Sequence, residues 1–175
     1  STLNRLQLLI DAYTQHATDL EKWLLPLGNL PHQSIPLHRT LQSKLPQEQS
    51  LTGYYSNIVR DWAWDGRENE AALELVTRVL AKRTQLGTFV TLGAGSCRLS
   101  YDLHQTFQPS LSILVDINPL LFLIASKIVR GESRDLYEFP VAPKDLNSHA
   151  VLRRCQTAKP IQGEFHFLFA DAMNP

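Results

Sequence analysis

The sequence predicts an α/β protein: a parallel sheet with intervening helices, preceded by an N-terminal helical segment. Three observations carry this. A β-branched and apolar run, Thr88 to Leu92, leads through the turn "GAGSC" into an amphipathic stretch from Arg98 to Phe107. A second run of the same texture, Ser112 to Val115, follows, and strand, tight turn, helix, strand is the βαβ unit that builds parallel sheets. Upstream of Gly87 the apolar residues recur at helical spacing instead.

Each element has its own local reason. From Leu3 to Leu25 the residues Leu3, Leu6, Ile10, Tyr13, Ala17, Leu20 and Leu24 fall on one helical face, and Pro26 ends the helix. Pro31, Pro36 and Pro46 with polar neighbours predict an irregular connection, with at most a short helix near Thr40 to Leu45. A second helix is expected from Leu51 or Thr52 to Trp64. Asp65 reads as the N-cap of a third, Glu68 as its capping-box partner, and Ala72, Leu75, Val76, Val79 and Leu80 as its inner face. Leu120 to Val129 is a further apolar helix, and Glu164 to Ala170 is a third strand. Between them, Gly131 to Pro160 is too long for an ordinary connection; a helix is expected from Asp145 to Cys155, with room for a hidden strand. The organisation is then a helical segment over 1–85 and a ligand-binding α/β domain over 86–175.

Bulk composition narrows the function. The 175 residues carry 17 basic and 17 acidic side chains, so no net charge draws the chain to nucleic acid or to an anionic membrane. The longest apolar run, Pro119 to Ser126, is too short to span a bilayer, and no secretion signal is visible at Ser1, so a cytoplasmic protein without a membrane partner is expected. Cys97 and Cys155 have no partner at metal-ligand spacing, and neither a zinc site nor a disulfide is expected. The histidines show no ligand spacing either. His16, His104 and His149 fall on predicted helix surfaces and His166 on a strand, in solvated or core roles.

The glycine turn carries the chemistry. Gly93 and Gly95 lie where a strand delivers the chain into a helix, so a ligand can approach the backbone while helix amides face outward as donors. Asp116 ends the second strand about 20 residues beyond the turn, the place from which an acidic side chain accepts both hydroxyls of a ribose. Together they suggest an adenosine-type ligand. A dinucleotide fingerprint would need a third small residue where Arg98 stands, which argues against NAD or FAD. Asp171, in "FADAMNP", follows the third strand, a place where it resembles the acidic residue that S-adenosylmethionine enzymes of the doubly wound class set against the adenine amino group, although Asp is also common there as the cap of a turn.

With "TLGAGSCRLSYDL" as a first motif and "LVDINPLLFLIAS" as a second, the chain resembles the class I S-adenosylmethionine-dependent methyltransferases. A narrower resemblance is to the carnosine N-methyltransferase-like family, on "NIVRDWAWDGRENEAA" at 57–72, "LGAGSCRL" and "DINPLLFLIASKIVRG". It covers roughly residues 51 to 132 and implies a Rossmann-like sheet, S-adenosylmethionine as cofactor, and methyl transfer to nitrogen of a small molecule or peptide. By position, Gly93 and Gly95 would line the methionine part of the cofactor, Asp116 would hold the ribose, and Asn57 and Arg60 would reach it from the helical segment. Arg60 would pair with the methionine carboxylate, or with Asp61 or Glu68 at the surface. The candidate cofactor set is Asn57, Arg60, Gly93, Ala94, Gly95, Asp116, Ile117, Asp171 and Ala172; no catalytic base is nominated. Trp62 and Trp64 are expected to pack the helical segment onto the sheet.

Three departures from the family stand out. Cys97 replaces a glycine, Asp116 replaces the usual Glu, and the later strands that carry the family's histidine-containing acceptor pocket are not found. The class has a seven-stranded sheet, whereas three strands are read here, so the first should have an open apolar edge, covered by a second copy or by the remaining half. Two rival functions stay open. One is a non-catalytic S-adenosylmethionine-binding module acting through a partner. The other is an N-methyltransferase acting on nucleic acid or protein glutamine, if Asn174 and Pro175 begin an Asn-Pro-Pro-aromatic motif.

Overall fold

The computed structural model describes residues 1–24, 51–80, 83 and 86–172. The expected short helix near Thr40 to Leu45 and the Asn174-Pro175 reading lie outside them. The elements are α1 (Thr2–Leu24), α2 (Leu51–Ala63), α3 (Arg67–Leu80), β1 (Thr88–Leu92), α4 (Arg98–Phe107), β2 (Leu111–Asp116), α5 (Pro119–Val129), β3 (Arg134–Glu138), a 3-10 turn (Asn147–His149), β4 (Val151–Cys155) and β5 (Phe165–Phe169). The protein is α/β, with an N-terminal helix and a Rossmann-like parallel half-sheet in the order β1-β2-β5.

The chain forms two compact units, one of residues 1–56 with 135–153, the other of 57–134 with 154–175. In the second, β2 lies between its parallel neighbours, with Val90 opposite Ile113 and Ile113 opposite His166. Helix α4 packs on one face of the sheet, where the Ser100 hydroxyl donates to Thr91 Oγ1 at 2.9 Å and the His104 ring meets Phe165 edge-on. His104 Nε2 donates to the Gln162 carbonyl at 2.7 Å, and in the neutral tautomer its Nδ1 accepts from the Ser112 hydroxyl at 2.8 Å. Helix α5 covers the same face through Phe122 on Phe167. Its start is fixed by Asn118, whose side chain accepts from the amides of Leu120 and Leu121, with Pro119 set at the first turn. Leu121, Phe122, Ile124, Ala125, Ile128 and Val129 make this helix the most deeply buried of the unit.

On the opposite face of the sheet Val90, Leu92 and Leu168 are exposed. Among the described residues β1 pairs with β2 alone, so its outer edge is open.

Three expectations need correction. The region expected to be helical from Asp145 to Cys155 is a 3-10 turn followed by strand β4, and Gly131 to Pro160 holds two strands, β3 and β4, which pair with each other. Asp145 closes the turn by exchanging hydrogen bonds with Ser148, a local ring that competes with helix continuation. In α1 the expected inner residues Leu3, Leu6, Ile10 and Tyr13 are exposed, and the buried line is Ala12, His16 and Leu20. In α3 Leu75 and Val79 are exposed; the half-buried stripe is Asn69, Ala72, Leu73, Val76, Thr77 and Leu80, rotated toward α4, the helix it packs against.

The buried line of α1 is organised around His16. The Tyr137 amide of β3 donates to its Nε2 at 2.7 Å, and Tyr137 and Phe139 flank the ring. Burial pushes the His16 pKa below its ordinary value, opposed by the charge of Asp19. The unfolded chain therefore takes up a proton that the folded unit resists, so stability is retained above the ordinary histidine pKa and declines as pH falls through it. Hydrogen exchange at the Tyr137 amide should keep its protection near neutrality and lose it only as pH falls from about 6.5 toward about 5, after correction for intrinsic rates, because protonated Nε2 cannot accept that bond. Constant protection over the range would contradict this account.

Candidate functional site

The site grows from the turn between β1 and α4. Gly93 (φ +68°) and Gly95 (φ +56°) are both in the left-handed region, which glycine enters without a steric penalty. An added Cβ at either would meet nothing within 4 Å, so the space over the turn is open and conformation alone demands glycine. The turn is tied to the end of β2 twice. The Ala94 amide donates to the Val115 carbonyl at 3.0 Å, and the Gly95 amide donates to Asp116 Oδ2 at 2.7 Å. The other carboxylate oxygen, Oδ1, accepts from the Asn118 amide at 2.8 Å, at the entrance to α5.

Strand order brings the third candidate segment alongside. The Ala170 amide donates to the Asp116 carbonyl at 3.1 Å, so half-buried Asp171 and exposed Ala172 follow β5 at the same end of the sheet as Asp116 and half-buried Ile117. Gly93, Ala94, Gly95, Asp116, Ile117, Asp171 and Ala172 thus all lie where β1, β2 and β5 end.

Asn57 and Arg60 come to this region from the last turns of α2. The Ser96 hydroxyl lies 3.4 Å from the Asn57 carbonyl, so Asn57 touches the turn through its backbone. Arg60 donates through Nε to Asp61 Oδ1 at 2.9 Å, the local pairing that was one of its two expected roles. Its partner reaches further: Asp61 is buried, and its Oδ2 accepts from the Ser96 hydroxyl in the glycine turn.

The residues Asp61 and Trp62 clamp the turn from outside. Trp62 Nε1 donates to the Ser96 carbonyl at 2.8 Å, and its ring stands edge-on to Tyr101 and 5.5 Å from the Arg98 guanidinium. Arg98 donates to the Asp61 carbonyl at 2.8 Å and to Asp102 at 2.8 Å. The residue that occupies the third small position of a dinucleotide fingerprint is therefore a brace between two helices. Trp62 is buried against the glycine turn and α4, where the sequence suggested packing on the sheet, and Trp64 is exposed.

No known protein family, curated protein or solved structure matches the chain. What the site can do therefore rests on its own geometry. It presents a glycine turn with open space beside both glycines, a carboxylate bonded to that turn and a guanidinium two hydrogen bonds away. Among the described residues no group of three His, Cys, Asp or Glu side chains could hold a metal ion, and no helix is long and apolar enough to cross a membrane. The residues that sequence reasoning missed are Asp61, Ser96 and Asn118. Asp61 and Asn118 stand beside residues that it singled out, and Asn118 carries an N-cap signal before Pro119.

Cys97 shares the left-handed conformation of the glycines, with φ +69°, and is fully buried. Burial pushes its thiol well above the usual range, and the charges of Asp116 and Asp61 act the same way. Native protein should therefore show no rapid alkylation of Cys97 by iodoacetamide near neutral pH, and fast labelling mapped to Cys97 by mass spectrometry would count against the geometry. Gly95→Ala should lower stability by about 1 to 2 kcal/mol in urea denaturation through backbone strain alone, since its Cβ has room. A neutral or stabilising result would mean that the turn relaxes to another conformation.

Proposed function

We propose that the chain binds S-adenosylmethionine at the glycine turn and is the cofactor-binding part of a methyltransferase acting on nitrogen of a small molecule or peptide. The observation that carries this is the Asp116 carboxylate, bonded to the Gly95 amide at 2.7 Å across an open turn at the end of β2. Each oxygen of that carboxylate accepts one backbone amide, and a carboxylate has about four acceptor sites, so capacity remains for two ribose hydroxyls. Asp171 would receive the adenine amino group, with Ile117 and Ala172 beside the base. Gly93, Ala94 and Gly95 would leave room for the methionine part, and Arg60 would face its carboxylate, with Asn57 on the same helix.

The bound cofactor would supply an electrophilic methyl group on a cationic sulfur. The protein then needs chiefly to align donor and acceptor, and no side chain of this site is required as a base. A turn tied by Asp116 at Gly95 and by Asp61 and Trp62 at Ser96 suits that demand. The exposed residues Val90, Leu92 and Leu168 support the second reading, a binding module that works with a partner, because a parallel sheet is ordinarily covered on both faces.

Calorimetry with S-adenosylmethionine and with NAD on wild type and Asp116→Ala tests the assignment. Wild type should bind the sulfonium nucleoside and not NAD, and Asp116→Ala should weaken binding by about 1 to 3 kcal/mol through loss of a hydrogen-bonded acceptor. Equal binding of NAD, or an unchanged affinity in the variant, would refute the proposal.

A further inference from the structure

We infer that Asp61 is a positioning residue that aims Arg60 at the cofactor and makes the site select adenosine compounds whose 5′ substituent ends in a carboxylate. This rests on the proposed function above and adds a role that the glycine motif does not contain. The observation is a continuous chain of hydrogen bonds across the site. Arg60 Nε donates to Asp61 Oδ1, Ser96 donates to Asp61 Oδ2, Gly95 donates to Asp116 Oδ2, and Asn118 donates to Asp116 Oδ1. Ser96 and Gly95 are consecutive, so the two carboxylates grip adjacent residues of one turn.

The geometry makes a statement about Arg60. A long arginine side chain, 41% exposed, loses substantial rotamer freedom when it is held still. Asp61 holds it by Nε, the donor nearest the chain, so that pair does not use the two terminal nitrogens. A guanidinium so presented matches the two oxygens of a carboxylate. Asp61 is itself immobile: it is 8% exposed, both oxygens are engaged, and its carbonyl accepts from Arg98 at 2.8 Å and from Asn69 at 3.2 Å. The buried carboxylate therefore serves as a fixed post between the cation and the turn.

This role predicts an effect on one part of the ligand only. S-adenosylhomocysteine carries the amino-acid carboxylate, and 5′-methylthioadenosine is the same nucleoside without it. Wild type should bind the first more tightly. Asp61→Asn should weaken S-adenosylhomocysteine by about tenfold while changing 5′-methylthioadenosine by less than about threefold, since the lost element is the aim of a charge-assisted pair. Arg60→Lys keeps the charge but lacks the Nε donor, and should show the same selective loss even if Asp61→Asn folds poorly. The double variant should be scarcely worse than either single one, because both remove one unit.

Equal weakening of both compounds by Asp61→Asn, or multiplicative losses in the double variant, would overturn the inference and leave Asp61 as a brace of the turn. Wild type binding both compounds equally would overturn it as well, while leaving nucleoside binding intact. Wild type binding neither would overturn the functional reading and this inference with it.

Discussion

The hydrogen bond from the Gly95 amide to the Asp116 carboxylate is the constraint on which the carboxyl end of the parallel sheet depends. A turn through two left-handed glycines and a left-handed cysteine has no regular ladder to stabilise it; the Ala94 and Cys97 amides find backbone carbonyls, and the Gly95 amide finds the Asp116 carboxylate. Asp116 satisfies one of them and, through its other oxygen, the Asn118 amide at the start of α5. One side chain at the end of the central strand thus fixes the entry geometry of the glycine turn and of the following helix. Its charge near two helix starts is also favourable, because orphan amides give these ends partial positive character. Asp has the reach for this double duty while its backbone stays in the strand, where its own carbonyl accepts from Ala170.

The second anchor is tertiary. Ser96 gives its hydroxyl to Asp61 and its carbonyl to Trp62, so the turn is fastened to the end of α2 through both a side chain and the backbone. A buried carboxylate with unsatisfied oxygens would be costly, and here both have donors. The raised pKa of Asp102, caused first by burial and opposed by Arg98, belongs to the same cluster, in which Arg98 serves the Asp61 carbonyl and the Asp102 carboxylate together. The sequence "RDW" is therefore a structural clasp on the turn. The aromatic ring and the acid act on the turn, and the arginine stands at the outer end.

Much of the half-sheet was legible because local signals and long-range packing agree there. α4 begins and ends where the periodicity places it, and β2 and β5 differ from expectation by single residues at their ends. Agreement failed where the buried surface is not apolar. His16 lies on the buried line of α1, so hydropathy pointed to Leu3, Leu6 and Ile10 instead, which form the exposed side. β3 is "RDLYE", with Leu136 its one buried residue, and such a strand shows neither alternation nor an apolar run. β4 alternates weakly, and its two arginines suited an exposed helix equally well; Arg153 is explained by Glu138 on β3, 2.7 Å away. For the site, glycine turn and Asp116 were visible as a spacing. The Asp61 to Ser96 contact spans 35 residues and left no periodic trace.

The two faces of the sheet answer different demands. Parallel register places Thr91, Ser112, Phe165 and Phe167 on one face, and α4 and α5 both cover that face. The other face carries Val90, Leu92, Ile113, Val115 and Leu168, an apolar set in which Val90, Leu92 and Leu168 remain half or more exposed. β2 itself reads "LSILVD", apolar on both sides, which is the composition of a strand suited to burial from above and below. Its polarity is confined to Ser112, held by His104, and to Asp116 at its end. The sheet is thus chemically prepared for two covered faces and one wet end, and Asp116 stands at the wet end with Gly95 in its grip. There the Gly95 and Asn118 amides take one oxygen of its carboxylate each, so a single side chain closes the end of the central strand against both the turn and the following helix.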